Sequence, residues 1–339
     1  MMRWALAALA VVFGVTAITV AEEAAIEVVD QVGNTLAIRQ PVEHLVSVYG
    51  PGTFSVYALG AGDRLEMGWY VGFKTISQAS DALHRLEPRL EALLHSGDPN
   101  VEEVIARGAD LILVDGSRHA AFADQMNALG VSTLQFLVET PEALLESLDL
   151  LGAVLGEDAQ ARADAFEADY ARVLSAIDTG LSDIQTSDRV RVLFVGTDPL
   201  SVATGGMYQR LMIEAAGGLC VTQDVSGYWK SVNLEDILTW NPDVIMIAPY
   251  GAVQPASLIE NPDWQAVAAV RTGRVYRMPR VFAPMDTPVP ESLLGMIWMA
   301  DVLYPEKIGL DLGAEAAAFY AYYYGYALSD EEIAHLISR

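Results

Sequence analysis

The stretch Asn100-Val101-Glu102-Glu103-Val104-Ile105-Ala106-Arg107-Gly108-Ala109-Asp110-Leu111-Ile112-Leu113-Val114 has a counterpart later in the chain. It is Asn233-Leu234-Glu235-Asp236-Ile237-Leu238-Thr239-Trp240-Asn241-Pro242-Asp243-Val244-Ile245-Met246-Ile247. At a constant offset of 133, four of the fifteen positions are identical and seven more are close exchanges. Each copy reads as a helix and then a strand. Asn is a helix N-cap, and an acid three residues later completes a capping-box-like start. Gly108, or Asn241-Pro242, ends the helix. The short β-rich apolar run that follows is too short for a helix and reads as a buried strand. A helix–strand unit used twice at this separation predicts two similar lobes.

Working outward, the flanks repeat as well. Leu45-Val46-Ser47-Val48 reads as a strand and Tyr49-Gly50-Pro51-Gly52 as a loop. Thr53 reads as an N-cap, and residues 54–59 as a short helix stopped by Gly60. In the second half, 190–195 reads as a strand, Gly205-Gly206 lies in a loop, and 208–216 reads as a helix ending at Gly217-Gly218. Before both halves, 25–37 reads as a hairpin about Val32-Gly33-Asn34. Between them, 142–155 and 158–181 carry apolar residues at helical spacing. In the longer one these are Ala163, Phe166, Tyr170, Val173, Leu174 and Ile177. A 24-residue helix is about 36 Å long and makes a rigid connector. After the second lobe come an irregular loop over 284–290, an apolar helix over 291–303, and a tail expected to form helices over 315–325 and 329–337. The fold class is therefore α/β: two lobes with mostly parallel sheets joined by one long backbone helix. The expected divisions are 22–155, 156–185, 186–308 and a helical tail over 309–339.

Composition limits the partners. The chain has 339 residues, 52% of them hydrophobic, and a formal charge of −25. That charge argues against nucleic acid and against anionic lipid, both of which would repel it. It fits a monomer kept apart by self-repulsion. At the N-terminus, Arg3 precedes an uncharged apolar run from Ala5 to Val20, and Thr19-Val20-Ala21 supplies small residues. This reads as a signal peptide over 1–21, cleaved near Ala21 to leave a mature start near Glu22. The single cysteine, Cys220, cannot form an internal disulfide and reads as a core residue.

The ordered features resemble a known family. Pro41-Val42-Glu43-His44-Leu45-Val46-Ser47-Val48 and Ala58-Leu59-Gly60-Ala61-Gly62-Asp63-Arg64 resemble its opening. Asn100-Val101-Glu102 and Asn233-Leu234-Glu235 resemble its two helix starts. Val270-Arg271-Thr272-Gly273-Arg274-Val275-Tyr276 and Pro288-Val289-Pro290-Glu291-Ser292-Leu293-Leu294-Gly295 resemble later segments. The family is the substrate-binding proteins of ABC importers for ferric siderophores, haem and cobalamin. The resemblance implies a periplasmic protein, without enzymatic activity or cofactor of its own, that catches a metal chelate between its lobes. It also implies delivery to a dimeric permease, docked through Glu102 on one lobe and Glu235 on the other.

Loops at strand C-terminal ends would then face the cleft. In the first lobe they carry Tyr49, Trp69, Tyr70, Arg118 and His119. In the second they carry Tyr208, Trp229, Lys230, Tyr250, Arg280 and Phe282. Aromatic faces suit a large flat ligand, and Arg supplies forked donors to oxyanions. A ferric chelate, haem or a corrinoid would use both. Three alternatives stay open. A small oxyanion such as molybdate or tungstate would need one Arg and backbone donors, for which Gly50-Pro51-Gly52-Thr53 at a helix start would serve. A bare metal ion would need histidines; His44, His84, His95, His119 and His335 are scattered, and no metal site is expected. A tetrapyrrole chelatase-like enzyme shares the two-lobed outline, but no catalytic motif marks one and the signal segment argues against it.

Overall fold

The computed structural model describes residues 24–338. The signal segment, its cleavage point and Glu22 lie outside these residues. A hairpin of Ala25–Val29 with Thr35–Arg39 leads into the first lobe. That lobe is a five-stranded sheet in which every neighbouring pair is parallel. The order across it is Leu94–His95, Leu65–Trp69, Leu45–Ser47, Leu111–Asp115, Ser132–Phe136. The second lobe builds its sheet around Arg191–Val195 and Val244–Ile247, with Val275–Arg277 and Leu219–Cys220 also parallel. Its other edge is antiparallel: Ser201–Val202 pairs with Arg191–Val195 on one side and Lys230–Ser231 on the other. Central strands of both lobes are fully buried, which is why they read as unbroken apolar runs.

The repeated stretch folds as its residues dictate. Asn100 Oδ1 accepts the Glu103 N–H at 3.1 Å, and Asn233 Oδ1 accepts the Asp236 N–H at 2.9 Å. Asp236 reaches back to the Asn233 N–H at 3.1 Å, closing a capping box. Glu103 does not close one; it turns to Arg107 at 3.7 Å and His95 at 3.5 Å. Gly108 and Asn241 end the helices in the left-handed region, at φ +69° and +39°.

One local expectation is corrected. Gly50-Pro51-Gly52 is not a loop but the first turn of the helix Gly50–Ala58, with Tyr49 rather than Thr53 at the N-cap and Pro in the first turn. Gly50 is required there, since a Cβ would come within 2.1 Å of Val71 Cγ2.

The helices Pro141–Leu155 and Glu157–Gly180 turn on Gly156, at φ +110°. The 24-residue Glu157–Gly180 links the lobes and buries Ala159, Ala163, Phe166, Tyr170, Val173 and Ile177. Phe166 meets Phe319 and Tyr323 of the tail helix Leu312–Tyr324 edge-on. The apolar helix Ser292–Leu303 is buried on nearly every residue. A last helix, Asp330–Ile337, caps the tail. Cys220 sits buried with its Sγ 3.2 Å from Thr222 Oγ1. No described helix is long and apolar enough to cross a membrane.

Candidate ligand-binding cleft

The strand C-terminal ends of the first lobe converge on one cavity of about 460 Å³. Tyr49, Trp69, Arg118 and His119 line it together, with Lys74, Ser96, Gly97, Asp98 and Asp115. Each reaches it from a strand end or the residues just beyond one. Tyr49 follows Leu45–Ser47, Trp69 ends Leu65–Trp69, and Arg118 follows Leu111–Asp115. Asp115 shapes the last of these loops. Its Oδ1 accepts the Ser117 N–H at 2.8 Å and the Ser117 hydroxyl at 2.6 Å, and its Oδ2 lies 3.6 Å from Arg118 Nε. The Arg118 side chain stays 63% exposed, so its remaining donors are turned to solvent and to any guest. Burial holds the His119 imidazole below its usual pKa, and one ring nitrogen, Nδ1, is buried without a partner.

The second lobe answers with Tyr228, 55% exposed, whose hydroxyl is held above its usual pKa by burial and by the nearby Glu139 carboxylate. Glu139 in turn is raised by its own burial and by Asp115. Glu139 and Asp115 belong to the first lobe and Tyr228 to the second, so these groups face one another across the cleft. Beside them Tyr250, half-buried, donates its hydroxyl to Asp286 Oδ2 at 2.8 Å. Gln209 Nε2 donates to the same oxygen at 3.2 Å. Asp286 has no exposed surface, and burial pushes its carboxyl up to about 6.

The remaining expected positions divide. Trp229 is half-buried and lies against Gly196, where a Cβ would come within 2.9 Å of the indole Cζ3. Lys230 is exposed on the short antiparallel edge. Tyr70 does not reach the cleft. It is fully buried, shares a 2.8 Å hydroxyl–hydroxyl hydrogen bond with Tyr57 and stacks on Phe73. Packing explains this: the Tyr57 hydroxyl and the Phe73 ring hold Tyr70 in the core, while Trp69 at the strand end stays at the cavity. Tyr208 is likewise buried, its hydroxyl 2.9 Å from Ser292 Oγ. Phe282 is enclosed by the rings of Tyr320, Tyr324 and Tyr326 at 4.9, 5.2 and 5.0 Å. Arg280 lies away from the Tyr49 cavity, where its Nη2 donates to Gln78 O at 3.0 Å. Among the five histidines, His44 pairs with Glu66 at 2.9 Å, and no group of three or more metal-ligating side chains forms among the described residues. The helix start at Gly50–Thr53 is covered: all four residues are buried, and Val71 lies over Gly50.

Reading the sequence missed Lys74, Ser96, Asp98, Glu139 and Asp286. The crevice rule applied to Ser132–Phe136 would have found Glu139, and applied to Leu94–His95 would have found Ser96 and Asp98. Asp286 lies in an irregular loop and had no signal.

Residues 45–281 match the model of the periplasmic binding protein family. The chain belongs to that family. It is 27% identical over 266 residues to the molybdate-binding protein of Haemophilus influenzae, covering 71% of this chain and 75% of the relative. It is 26% identical over 212 residues to the vitamin B12-binding protein of Yersinia pestis, covering 62% and 70%. A periplasmic solute binding protein from Veillonella parvula superposes with a TM-score of 0.79 at 24% identity, covering 92% of this chain and 97% of the other. The family's two-lobed α/β architecture and linking helix are those described above. This chain is thus an ABC transporter periplasmic binding protein, and its relatives are named as substrate-binding proteins.

Proposed function

We propose that this periplasmic binding protein captures an anionic metal chelate, of the ferric siderophore, haem or corrinoid type, in the inter-lobe cleft and hands it to a dimeric permease. The observation that carries the reading is the cavity walled by Tyr49, Trp69 and Arg118. Its volume of about 460 Å³ falls in the range of organic-ligand pockets, roughly 300–1,000 Å³. Aromatic faces supply apolar area and Arg118 a forked cationic donor. The cavity's lining comes from the first lobe, and the second lobe's Tyr228 lies near that lobe's Glu139 and Asp115. The name of the vitamin B12-binding relative supports a chelate.

The test is a tryptophan-fluorescence titration of the purified protein with a ferric siderophore panel, haem, cobalamin and molybdate. Native mass spectrometry of protein taken from its own periplasm goes with it. Chelate binding that quenches Trp69 emission, with the quenching gone in Trp69→Phe, is the expected result. Binding of molybdate alone would replace this reading with the second one, a small oxyanion, which the name of the Haemophilus relative favours.

Delivery rests on Glu102 and Glu235. Both are exposed in the first turns of equivalent helices, and among the described residues neither carboxylate is held in an ion pair. Such positions place one acid on each lobe for two basic pockets on a permease dimer. A helix dipole alone would also favour an acid here, by about 0.3–1 kcal/mol. Glu102→Gln with Glu235→Gln separates the two roles. We expect normal folding and ligand binding with loss of uptake and of permease ATPase stimulation. Normal uptake by the double variant would leave only the helix role. The same reading makes the protein a periplasmic monomer, its signal segment removed near Ala21.

A further inference from the structure

A second cavity, of about 480 Å³, lies where the second lobe meets the tail and the 76–80 segment of the first lobe. Its polar lining is Ser80, Gln254, Arg277, Arg280, His335 and Ser338; the carboxylates of Asp81, Glu331 and Glu332 line the adjoining cavity, which shares Ser80, Arg280 and His335. The composition of its own lining stands out in a chain with 45 acids and 20 basic residues. Among the described residues neither Arg277 nor Arg280 takes part in an ion pair; both are braced by backbone carbonyls instead. Arg277 Nη2 donates to Pro249 O at 2.9 Å and Gly251 O at 3.1 Å. Arg280 Nη2 donates to Gln78 O at 3.0 Å. These bonds fix the two guanidinium groups in place and leave other donors unused. Arg277 Nε is buried with no partner at all. Two like charges facing one cavity are unfavourable unless something negative sits there. The same conflict shows in Arg280, whose guanidinium is held below its usual pKa by burial and by the Arg277 charge.

We infer that this cavity is an oxyanion site, separate from the Tyr49–Trp69 cavity. Arg277 and Arg280 supply the guanidinium donors that the backbone carbonyls leave free, and the His335 imidazole completes the shell; the Ser80 and Ser338 hydroxyls already donate to Val281 O and His335 O. Its chemistry takes a compact, multiply charged oxyanion, either as a free tetrahedral ion or as the oxyanionic end of a larger ligand. The inference does not depend on what the main cleft carries. It draws together three chain segments, the Ser80 loop, the Arg277–Arg280 strand end and the tail helix, and an anion there would tie both lobes to the tail.

The test is calorimetric titration of the full mature chain with sodium molybdate, sulfate and phosphate, and in a second arm with ferric citrate as a carboxylate-bearing chelate. Arginine-selective nitrogen NMR follows the Arg277 Nε–H signal in parallel. We expect a free oxyanion to bind and to shift that signal, with roughly tenfold or greater weakening in Arg280→Gln. His335→Gln should weaken it less. Arg280→Lys, which keeps the charge but loses the fork, reads out geometry without removing the cation. If free oxyanions leave the signal unmoved but ferric citrate shifts it and binds more weakly to Arg280→Gln, the site takes the oxyanionic end of a larger ligand. If neither arm moves the Arg277 signal, or Arg280→Gln and His335→Gln bind both probes as wild type does, the inference is overturned. Loss of Trp69-dependent chelate binding with these results intact would count against the main-cleft reading alone.

Discussion

The two lobes place the same kind of loop at the same kind of strand end, yet the side chains there meet different fates. In the first lobe Trp69, Arg118 and His119 border open space beside Tyr49, itself only 7% exposed, and Tyr70 alone turns fully into the core. In the second, Tyr208 and Phe282 are 2% and 1% exposed. The difference lies in what packs behind each lobe. Helix Ser292–Leu303 and the tail Leu312–Tyr324 lie against the second lobe, and their Ser292 hydroxyl and tyrosine rings claim Tyr208 and Phe282. A strand-end position therefore brings a residue near a cleft. Whether its side chain enters depends on whether a neighbouring element competes for it.

That contrast can be broken in several places. The largest effect should come from Phe282→Ala. It removes a fully enclosed ring and should cost about 3–5 kcal/mol of stability, seen as a large fall in denaturant midpoint. A loss below about 1 kcal/mol, with weakened ligand binding instead, would return Phe282 to the cleft. Arg118→Ala should behave oppositely, leaving the melting temperature within a degree or two. It should weaken an anionic chelate by about 1.5–3 kcal/mol, for the loss of a charged hydrogen bond; unchanged affinity would remove Arg118 from the site.

A third test uses the buried acid beneath Phe282. Glu291 has no exposed surface, accepts the Tyr324 hydroxyl at 2.6 Å, and is pushed by burial up to about 7. A carboxyl raised in the folded state stabilises the fold fully below its unfolded value. That contribution is lost as pH rises through the folded value. Wild-type stability should therefore fall between about pH 4.5 and 7 by on the order of 1–3 kcal/mol, and Glu291→Gln should flatten the fall. Identical pH profiles for the two proteins would show that Glu291 is not the group responsible.

The smallest effect expected is mechanical. A continuous helix, Glu157–Gly180, joins the lobes, and its interior has no residue that can absorb a large backbone change. The second lobe is also tied to the first away from that helix, through Ser80 Oγ donating to Val281 O at 2.5 Å. Arg85 of the first lobe meets Glu332 of the tail at 2.6 Å. Ligand should then change the radius of gyration only slightly in solution scattering, and a large contraction would refute rigid linkage.

Local signals were enough for the elements. The Asn caps, the Gly108 and Asn241 stops and the apolar runs act within a few residues of chain, so the repeated stretch and the long helix could be read directly. The near-repeat then implied two lobes, and the order of the segments the family. Tyr49, Trp69, Arg118 and His119 followed from one topological rule about strand ends. Tertiary structure alone decided which loop residues were left free. Trp69 and Tyr70 are chemically alike and adjacent, and only the packing of Tyr57 and Phe73 puts Tyr70 inside. Packing of Val71 on Gly50 closed the helix start that looked like an anion cradle. Packing of the tail against the strand end Val275–Arg277 and the segment after it gathered Arg277, Arg280 and His335 into one cavity from positions almost 60 residues apart. Burial and the meeting of distant segments are properties of the assembled core. A sequence fixes them only through the sum of all its contacts, and no local pattern records that sum.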